Sequence, residues 1–167
     1  ARVYLLFIQV QRLECGHNKA DRVKERDTMN TDLRSGRKVA LFIAMSLDGY
    51  IADKDGGVDW LSGEDEAAET EDVYSVFIKD VDTVIMGWNT YHQVTTELSP
   101  DEWIYSNLRS YVVTHRDILP TEEIVFTQEN PCALVKRLKK EEGKNIWICG
   151  GADIIRQLME DDLIDIY

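Results

Sequence analysis

The stretch "WICGGADII" at residues 147–155 predicts a buried strand that passes directly into a helix through two adjacent glycines. Its first part is short and apolar, as in strands that are covered on both faces. Its second part begins the segment "ADIIRQLM", whose apolar side chains fall on one side of a helix. Two glycines at such a junction either relieve crowding in a tight turn or let a ligand approach the backbone. Both interpretations are open on these residues alone.

Strands and helices of this kind alternate along the rest of the chain. The pattern predicts strands at residues 39–45, 82–87, 110–114, 123–127, 145–149 and 163–167. It predicts helices at residues 67–79, from residue 88, at residues 130–143 and from residue 152. The third helix is marked by Asn130 as N-cap, Pro131 at its first position and Gly143 as its stop. The alternation predicts an α/β fold, in which helices cover both faces of a mostly parallel sheet.

Composition limits the partners of this fold. The chain has 167 residues, 44% of them hydrophobic, which suits one domain with a substantial core. Its net charge of -12 opposes contacts with nucleic-acid phosphates, so we expect no nucleic-acid partner. A small anionic ligand can bind only where backbone N–H groups or a few cations outweigh the acidic field.

Targeting and redox signals are weak. No apolar run approaches the ~20 residues that a membrane helix needs, so we expect no membrane span. The three cysteines show no ligand or disulfide spacing, which predicts a cytoplasmic protein without a bound metal. Residues 14–38 are polar and aperiodic, so residues 1–37 are interpreted as a leader or linker, native or introduced for expression, and residues 38–167 as the domain.

Two further strand-to-helix or strand-to-loop junctions carry unusual residues. "GWNT" at residues 87–90 ends a strand on glycine and places amide and hydroxyl donors at a helix start, which is typical of ordinary capping as well as of ligand contact. "THR" at residues 114–116 places a hydroxyl and a cation at another strand end, where a solvated turn is the alternative. In parallel sheets such junctions meet at one edge, where ligands bind.

The order of these segments resembles the dihydrofolate-reductase-like superfamily. The resemblance covers residues 38–167 and depends on "VIMGWNTY" and "ICGGADII" at their relative positions. It is nearest to the bacterial branch that includes the reductase domain of riboflavin biosynthesis. The resemblance implies a three-layer α/β/α fold and an enzyme of the dihydrofolate reductase or 5-amino-6-(5-phosphoribosylamino)uracil reductase type. Such an enzyme uses NADPH to transfer a hydride to a C=N or C=O bond of a small molecule, here a pterin, a flavin precursor or a related heterocycle.

The resemblance also implies which positions contact NADPH. These are Ala44, Ile51, Gly87, Trp88, Asn89, Thr90, Thr114, His115, Arg116, Cys149, Gly150, Gly151, Ala152 and Asp153. The first two would flank the nicotinamide, residues 87–90 would meet the pyrophosphate and residues 114–116 the 2'-phosphate. Residues 149–153 would close over the phosphates, with a cis peptide bond between the two glycines. Trp88 departs from the family, which commonly has an arginine there, and this weakens the expected preference for NADPH over NADH.

The proton donor is implied only by position. The family's substrate-fixing carboxylate falls on Glu71, which lies in the acidic segment "GEDEAAETED". Acids also crowd helix N-termini because the helix dipole favours them there. Asp48 in "SLDG" either touches the substrate or caps its own loop, and the cap is the favoured interpretation.

The end of the sequence leaves a second function open. The family's sheet continues into a final hairpin, which this sequence lacks after Tyr167. The alternative function is therefore a catalytically silent nucleotide-binding member, or an inactive truncated fragment. An exposed sheet edge, together with the apolar residues 4–10, also predicts a homodimer.

Overall fold

The computed structural model describes residues 36–62 and 73–167. Within these ranges, five strands form one sheet, namely β1 (Val39–Leu41), β2 (Val81–Gly87), β3 (Arg109–Val113), β4 (Ile124–Thr127) and β5 (Asn145–Gly150). Their order across the sheet is β1-β5-β2-β3-β4, and each pair of neighbours is parallel. The predicted parallel sheet is confirmed. Because β5 inserts between β1 and β2, the last crossover returns the chain to the middle of the sheet.

Four helices of the described ranges flank this sheet, namely α1 (Val73–Phe77), α2 (Trp88–Gln93), α3 (Pro131–Leu138) and α4 (Ala152–Glu160). A wider helical segment, Val94–Leu98, continues α2. The Asn130 side chain caps α3 by accepting hydrogen bonds from the N–H groups of Cys132 and Ala133, at 2.9 and 3.2 Å. The helix ends at Leu138, earlier than predicted, because its last turn tightens into i→i+3 hydrogen bonds before the chain reaches β5.

Two hydrophobic clusters lie on opposite faces of the sheet. One cluster joins β5 and β1 to α3 and α4, with Leu134, Leu138 and Leu158 fully buried. The other lies on the side of α2, where Trp147 is 1% exposed. Phe42, Phe77 and other aromatic side chains pack around that indole. The molecule is therefore a three-layer α/β/α domain, as the sequence predicts.

The first and last predicted strands are shorter than expected. β1 ends at Leu41, and the carbonyl of Phe42 accepts a hydrogen bond from the Trp147 indole N–H at 2.9 Å instead of a ladder bond. The predicted strand at residues 163–167 is a single parallel bridge between Ile166 and Ala40. This bridge covers part of the edge of β1. Residues 4–10 lie outside the described residues, so the homodimer stays a prediction.

A partly buried ion pair closes the amino end of the sheet. The Arg37 guanidinium pairs with Asp82, donates to Thr83 Oγ1 at 2.6 Å, and donates through Nε to the Lys144 carbonyl at 2.7 Å. Asp82 also accepts the Lys144 N–H at 2.7 Å. These bonds fix the starts of β2 and β5 at the end of the sheet opposite to the predicted site.

None of the helices within residues 36–62 and 73–167 is long and apolar enough to cross a membrane.

Candidate functional site

A cavity of about 660 Å³ opens at the carboxyl edge of the sheet. Its walls come from the chain after β1, from α2 with its continuation, and from the end of β5 with the start of α4. The carboxyl ends of parallel strands and the helices that follow them are the usual place of ligand sites in such sheets. The volume is typical of small-molecule and cofactor sites.

Different local constraints favour glycine at positions 150 and 151, at the end of β5. A Cβ atom on Gly150 would lie 3.2 Å from Thr90 Oγ1, which is tighter than most real contacts. Gly151 has a φ angle of +97°, which side-chain-bearing residues rarely adopt. A Cβ atom there would lie 3.5 Å from the Gly87 nitrogen, so it would fit without overlap. Glycine at position 150 is therefore favoured by close packing against Thr90, and glycine at position 151 by backbone conformation.

The backbone at this junction is open to a ligand. Gly151 directly precedes α4, and no side chain caps that helix. Its positive dipole end and first N–H groups therefore border the cavity beside Gly150 and Ala152. The peptide bond between Gly150 and Gly151 is trans, as are the others between described residues, so the implied cis bond is wrong for this structure. The chain changes direction instead through the positive φ angle of Gly151.

A cation that stacks on an aromatic ring also lines the cavity. The Arg116 guanidinium carbon is 4.5 Å from the centroid of the Trp88 indole, and both side chains line the cavity. The backbone N–H of Arg116 donates to Thr114 Oγ1 at 3.2 Å, which shapes the turn after β3. In the part of the chain that the structure describes, no carboxylate lies within ion-pair distance of Arg116. Its charge is available to an anionic ligand.

The deeper wall of the cavity is aromatic. Tyr105 and Trp147 line it, and the Tyr105 hydroxyl lies 3.7 Å from Cys149 Sγ. Burial raises the pKa of the Cys149 thiol to about 11, and burial likewise raises the pKa of the Tyr105 phenol. Both groups stay protonated near neutral pH. They form a neutral surface and supply no charged nucleophile.

Comparison with known proteins gives the family. The family model "RibD C-terminal domain" matches residues 37–167. The chain belongs to the RibD C-terminal domain family. The chain is 43% identical over 130 residues to "Uncharacterized protein YwjB" of Bacillus subtilis (strain 168), covering 77% of this chain and 72% of that protein. It is 28% identical over 138 residues to "Uncharacterized protein YyaP" of the same organism, covering 77% and 71%.

A solved relative supports the same assignment. The crystal structure named "Putative riboflavin biosynthesis protein from SHEWANELLA SP. PV-4" superposes with a TM-score of 0.62 at 29% identity. The match covers 78% of this chain and 73% of that one. The resemblance inferred from the sequence is confirmed at the level of family and fold. The RibD C-terminal domain is a reductase-related fold.

Most of the predicted cofactor positions of this RibD C-terminal domain meet at the cavity. Those that line it are Ala44, Ile51, Trp88, Asn89, Thr90, Arg116, Cys149, Gly150, Gly151 and Ala152. Gly87 lies beside Gly151 without being among the lining residues. Thr114, His115 and Asp153 also lie outside the lining.

The carboxylates of the RibD C-terminal domain are placed less centrally. Asp153 accepts hydrogen bonds from Arg156 and Gln157 at 2.7 Å each, and these bonds, that from Arg156 foremost, lower its pKa. Asp48 accepts a 2.6 Å hydrogen bond from Ser46 Oγ within its own loop, and it does not line the cavity. This geometry favours the loop-capping interpretation of Asp48. Glu71 lies outside the described residues, and its role as proton donor stays a prediction.

Sequence reasoning missed several wall residues. Gln93 donates to the Gly56 carbonyl at 3.0 Å and to Glu97 Oε2 at 3.3 Å, which ties the loop after β1 to α2 and its continuation. Gln93, Gly56 and Glu97 all line the cavity. Trp147 and Cys149 share one face of β5, and the two-residue period of a strand could have predicted that. No local pattern indicates that Glu97 reaches the same cavity.

Proposed function

We propose that this RibD C-terminal domain is an NADPH-dependent reductase, which transfers a hydride to a C=N or C=O bond of a pterin, a flavin precursor or a related heterocycle. The observation that carries the proposal is the open backbone at residues 150–152, which faces the same cavity as the stacked guanidinium of Arg116. A phosphate of a bound dinucleotide would meet backbone N–H groups and a cation within one cavity.

The residues present fit NADPH. Backbone at Gly151 and the start of α4 would hold a phosphate, because uncapped helix N–H groups and the helix dipole favour an anion. The side chains of Asn89 and Thr90 supply further donors on the facing wall. Ala44 and Ile51 would border the nicotinamide with apolar surface. The bound cofactor supplies hydride-donating chemistry, and the chain's own residues bind it, orient it and exclude water.

The guanidinium of Arg116 favours NADPH over NADH as the cofactor. The two dinucleotides differ by the 2'-phosphate, and a guanidinium is well suited to bind a phosphate in a charge-assisted contact. Stacking on Trp88 limits the directions that the Arg116 side chain can take. The cation is thus held ready before the ligand binds.

Direct titration tests the proposal. Trp88 and Trp147 line the cavity, so bound NADPH should quench tryptophan fluorescence. NADPH at ~100 times its Kd should stabilise the fold by roughly 2.7 kcal/mol, which appears as a higher melting temperature. NADH should give a smaller shift at the same concentration. If neither dinucleotide changes the fluorescence or the melting temperature at millimolar concentration, the proposal is wrong.

A further inference from the structure

The charges around the cavity are unevenly distributed. Among the described lining residues, Arg116 is the single lysine or arginine, whereas Asp55 and Glu97 contribute carboxylates. Residues 63–72 are the part of the family-matched range that the structure does not describe, and their sequence "GEDEAAETED" contains six acids and no lysine or arginine. The described walls of the cavity therefore carry one strong cation.

That cation lies at one end of the cavity. Arg116 stacks on Trp88, the first residue of α2. Glu97 and Leu98 come nine and ten residues later on the wider continuation of that helix, so they lie at most about 13 to 15 Å further along the axis, the distance given by the α-helical rise of 1.5 Å per residue. Gly150 and Gly151 lie at the same end, against Thr90 and Gly87, which stand beside Trp88 in the chain. The phosphate-binding features of the cavity therefore gather at the end away from Glu97.

The walls away from the cation are apolar and acidic. Val94 and Leu98 line the cavity from the helical continuation, and Tyr105 and Trp147 from the sheet side. Flat rings are bound well by surfaces of this kind, through aromatic contact and burial of apolar area. A phosphate carried into the Glu97 end would meet a carboxylate instead of a cation, and like charges at close range are destabilising.

From this charge distribution we propose that the substrate is a flat heterocycle that carries no phosphate group. The inference rests on the proposed function, because the cofactor is taken to occupy the Arg116 and glycine end. It departs from the phosphoribosyl substrate of the uracil-reductase type that the sequence resemblance includes. One cation serves one phosphate in this cavity, and the cofactor uses it.

A matched pair of probes tests the inference. The full chain is first titrated with NADP+, and then, in saturating NADP+, with uridine and with uridine 5'-monophosphate by calorimetry. Uridine should bind at least about tenfold more tightly than its phosphate, and the difference should narrow as salt screens the repulsion. Tighter binding of the monophosphate, or no measurable difference between the two probes, would overturn the inference.

The same experiment separates this inference from the proposed function. If NADP+ itself fails to bind, the proposed function fails and the substrate inference falls with it. If NADP+ binds and the monophosphate binds more tightly than uridine, only the substrate inference is overturned. The cofactor titration therefore reports on one proposal and the probe pair on the other.

Charge variants show which end of the cavity makes the difference. Glu97→Lys places a cation on the far wall and should reduce the preference for uridine, with Glu97→Gln intermediate. Glu102→Lys is the matched control, because Glu102 is an exposed acid nearby in sequence that does not line the cavity. An equal effect of Glu97→Lys and Glu102→Lys would show that overall charge, and not the cavity wall, sets the preference, and the inference would fail.

Discussion

The guanidinium carbon of Arg116 lies 4.5 Å from the centroid of the Trp88 indole, although the two residues are far apart in sequence. The sequence resemblance implies an arginine at position 88, where this chain has Trp88. The sequence alone therefore indicates the loss of a cation at this position. In the fold, Arg116 reaches over from the end of β3 and places a cation against the ring. Trp88 and Arg116 form one structural unit.

Arg116→Ala should weaken NADPH binding and leave NADH binding nearly unchanged. A charge-assisted contact of this kind contributes roughly 1.5 to 3 kcal/mol, which corresponds to about 10- to 140-fold in Kd. The loss falls on NADPH because NADH has no 2'-phosphate. Parallel fluorescence titrations with both dinucleotides measure it.

Arg109→Ala is the control for this prediction. Arg109 is also an exposed arginine over an aromatic ring, 5.2 Å from the Tyr111 centroid, but it lies at the start of β3 and outside the cavity lining. Its removal should leave both affinities unchanged. Equal losses of NADPH and NADH in Arg116→Ala would show that Arg116 acts on the fold or on the shared pyrophosphate.

Trp88→Ala should weaken NADPH binding several-fold, and less than Arg116→Ala does. The ring orients the guanidinium, and an exposed cation–π contact contributes about 0.5 to 1 kcal/mol. A double-mutant cycle on NADPH affinity is the measurement. We expect the effect of Trp88→Ala to disappear in the Arg116→Ala background, because the ring then has no cation to hold. Additive losses would contradict the coupling.

The Cys149 thiol should make the fold less stable at alkaline pH. Burial raises its pKa from the ordinary value of 9.0 to about 11, so between these pH values the folded state binds more protons than the unfolded state. Stability therefore falls as pH rises through this window, by roughly 2 to 3 kcal/mol at about 1.4 kcal/mol per pKa unit. Urea unfolding across the window should show a shallower decline for Cys149→Ala. Identical declines would refute the assignment of this proton to Cys149.

Arg37→Leu should destabilise the domain without changing the cavity. The Arg37 side chain is 3% exposed and pairs with Asp82, whose side chain is 36% exposed, so its removal should cost about 1.5 to 3 kcal/mol, the range for hydrogen bonds to charged groups. Urea unfolding measures this loss. Because the pair lies at the amino end of the sheet, the fraction that remains folded should bind NADPH with normal affinity. Arg156→Ala is the control, since its ion pairs on α4 are exposed and should contribute far less.

Local patterns in the sequence predicted most of the fold, and contacts between distant segments explain what was missed. Asn130 and Pro131 begin α3 as expected, because capping depends on neighbouring residues only. The strand after Val39 was predicted too long, because the Phe42 carbonyl bonds to Trp147, which is far away in sequence. The passage from strand to helix at Gly150 and Gly151 was predicted from residues 147–155 alone. The cavity walls depend on the tertiary approach of Arg116 to Trp88 and of Gly56 to Gln93, which no short pattern contains.

The glycine junction has a matched control in the same chain. Gly151 and Gly49 have φ angles of +97° and +90°, so alanine at either position adopts a strained left-handed conformation. A Cβ atom on Gly49 would have no neighbour within 4 Å, and one on Gly151 would make only ordinary contacts. Gly151 lines the cavity and Gly49 does not. The two substitutions therefore share the strain and differ in their distance from the cavity.

Gly151→Ala should lose NADPH affinity by at least about tenfold, or 1.4 kcal/mol, in protein that still folds. The added methyl group would lie against Gly87 and Ile154, and the strained backbone beside it is where the cofactor phosphates are proposed to bind. Both Gly151→Ala and Gly49→Ala should lose about 1 to 2 kcal/mol of stability from the positive φ angle. Gly49→Ala should keep normal affinity. Circular dichroism establishes the folded fraction, and fluorescence titration gives the Kd of each variant. If Gly151→Ala binds NADPH as tightly as Gly49→Ala, the glycine pair serves only the turn, and the dinucleotide does not bind at this junction.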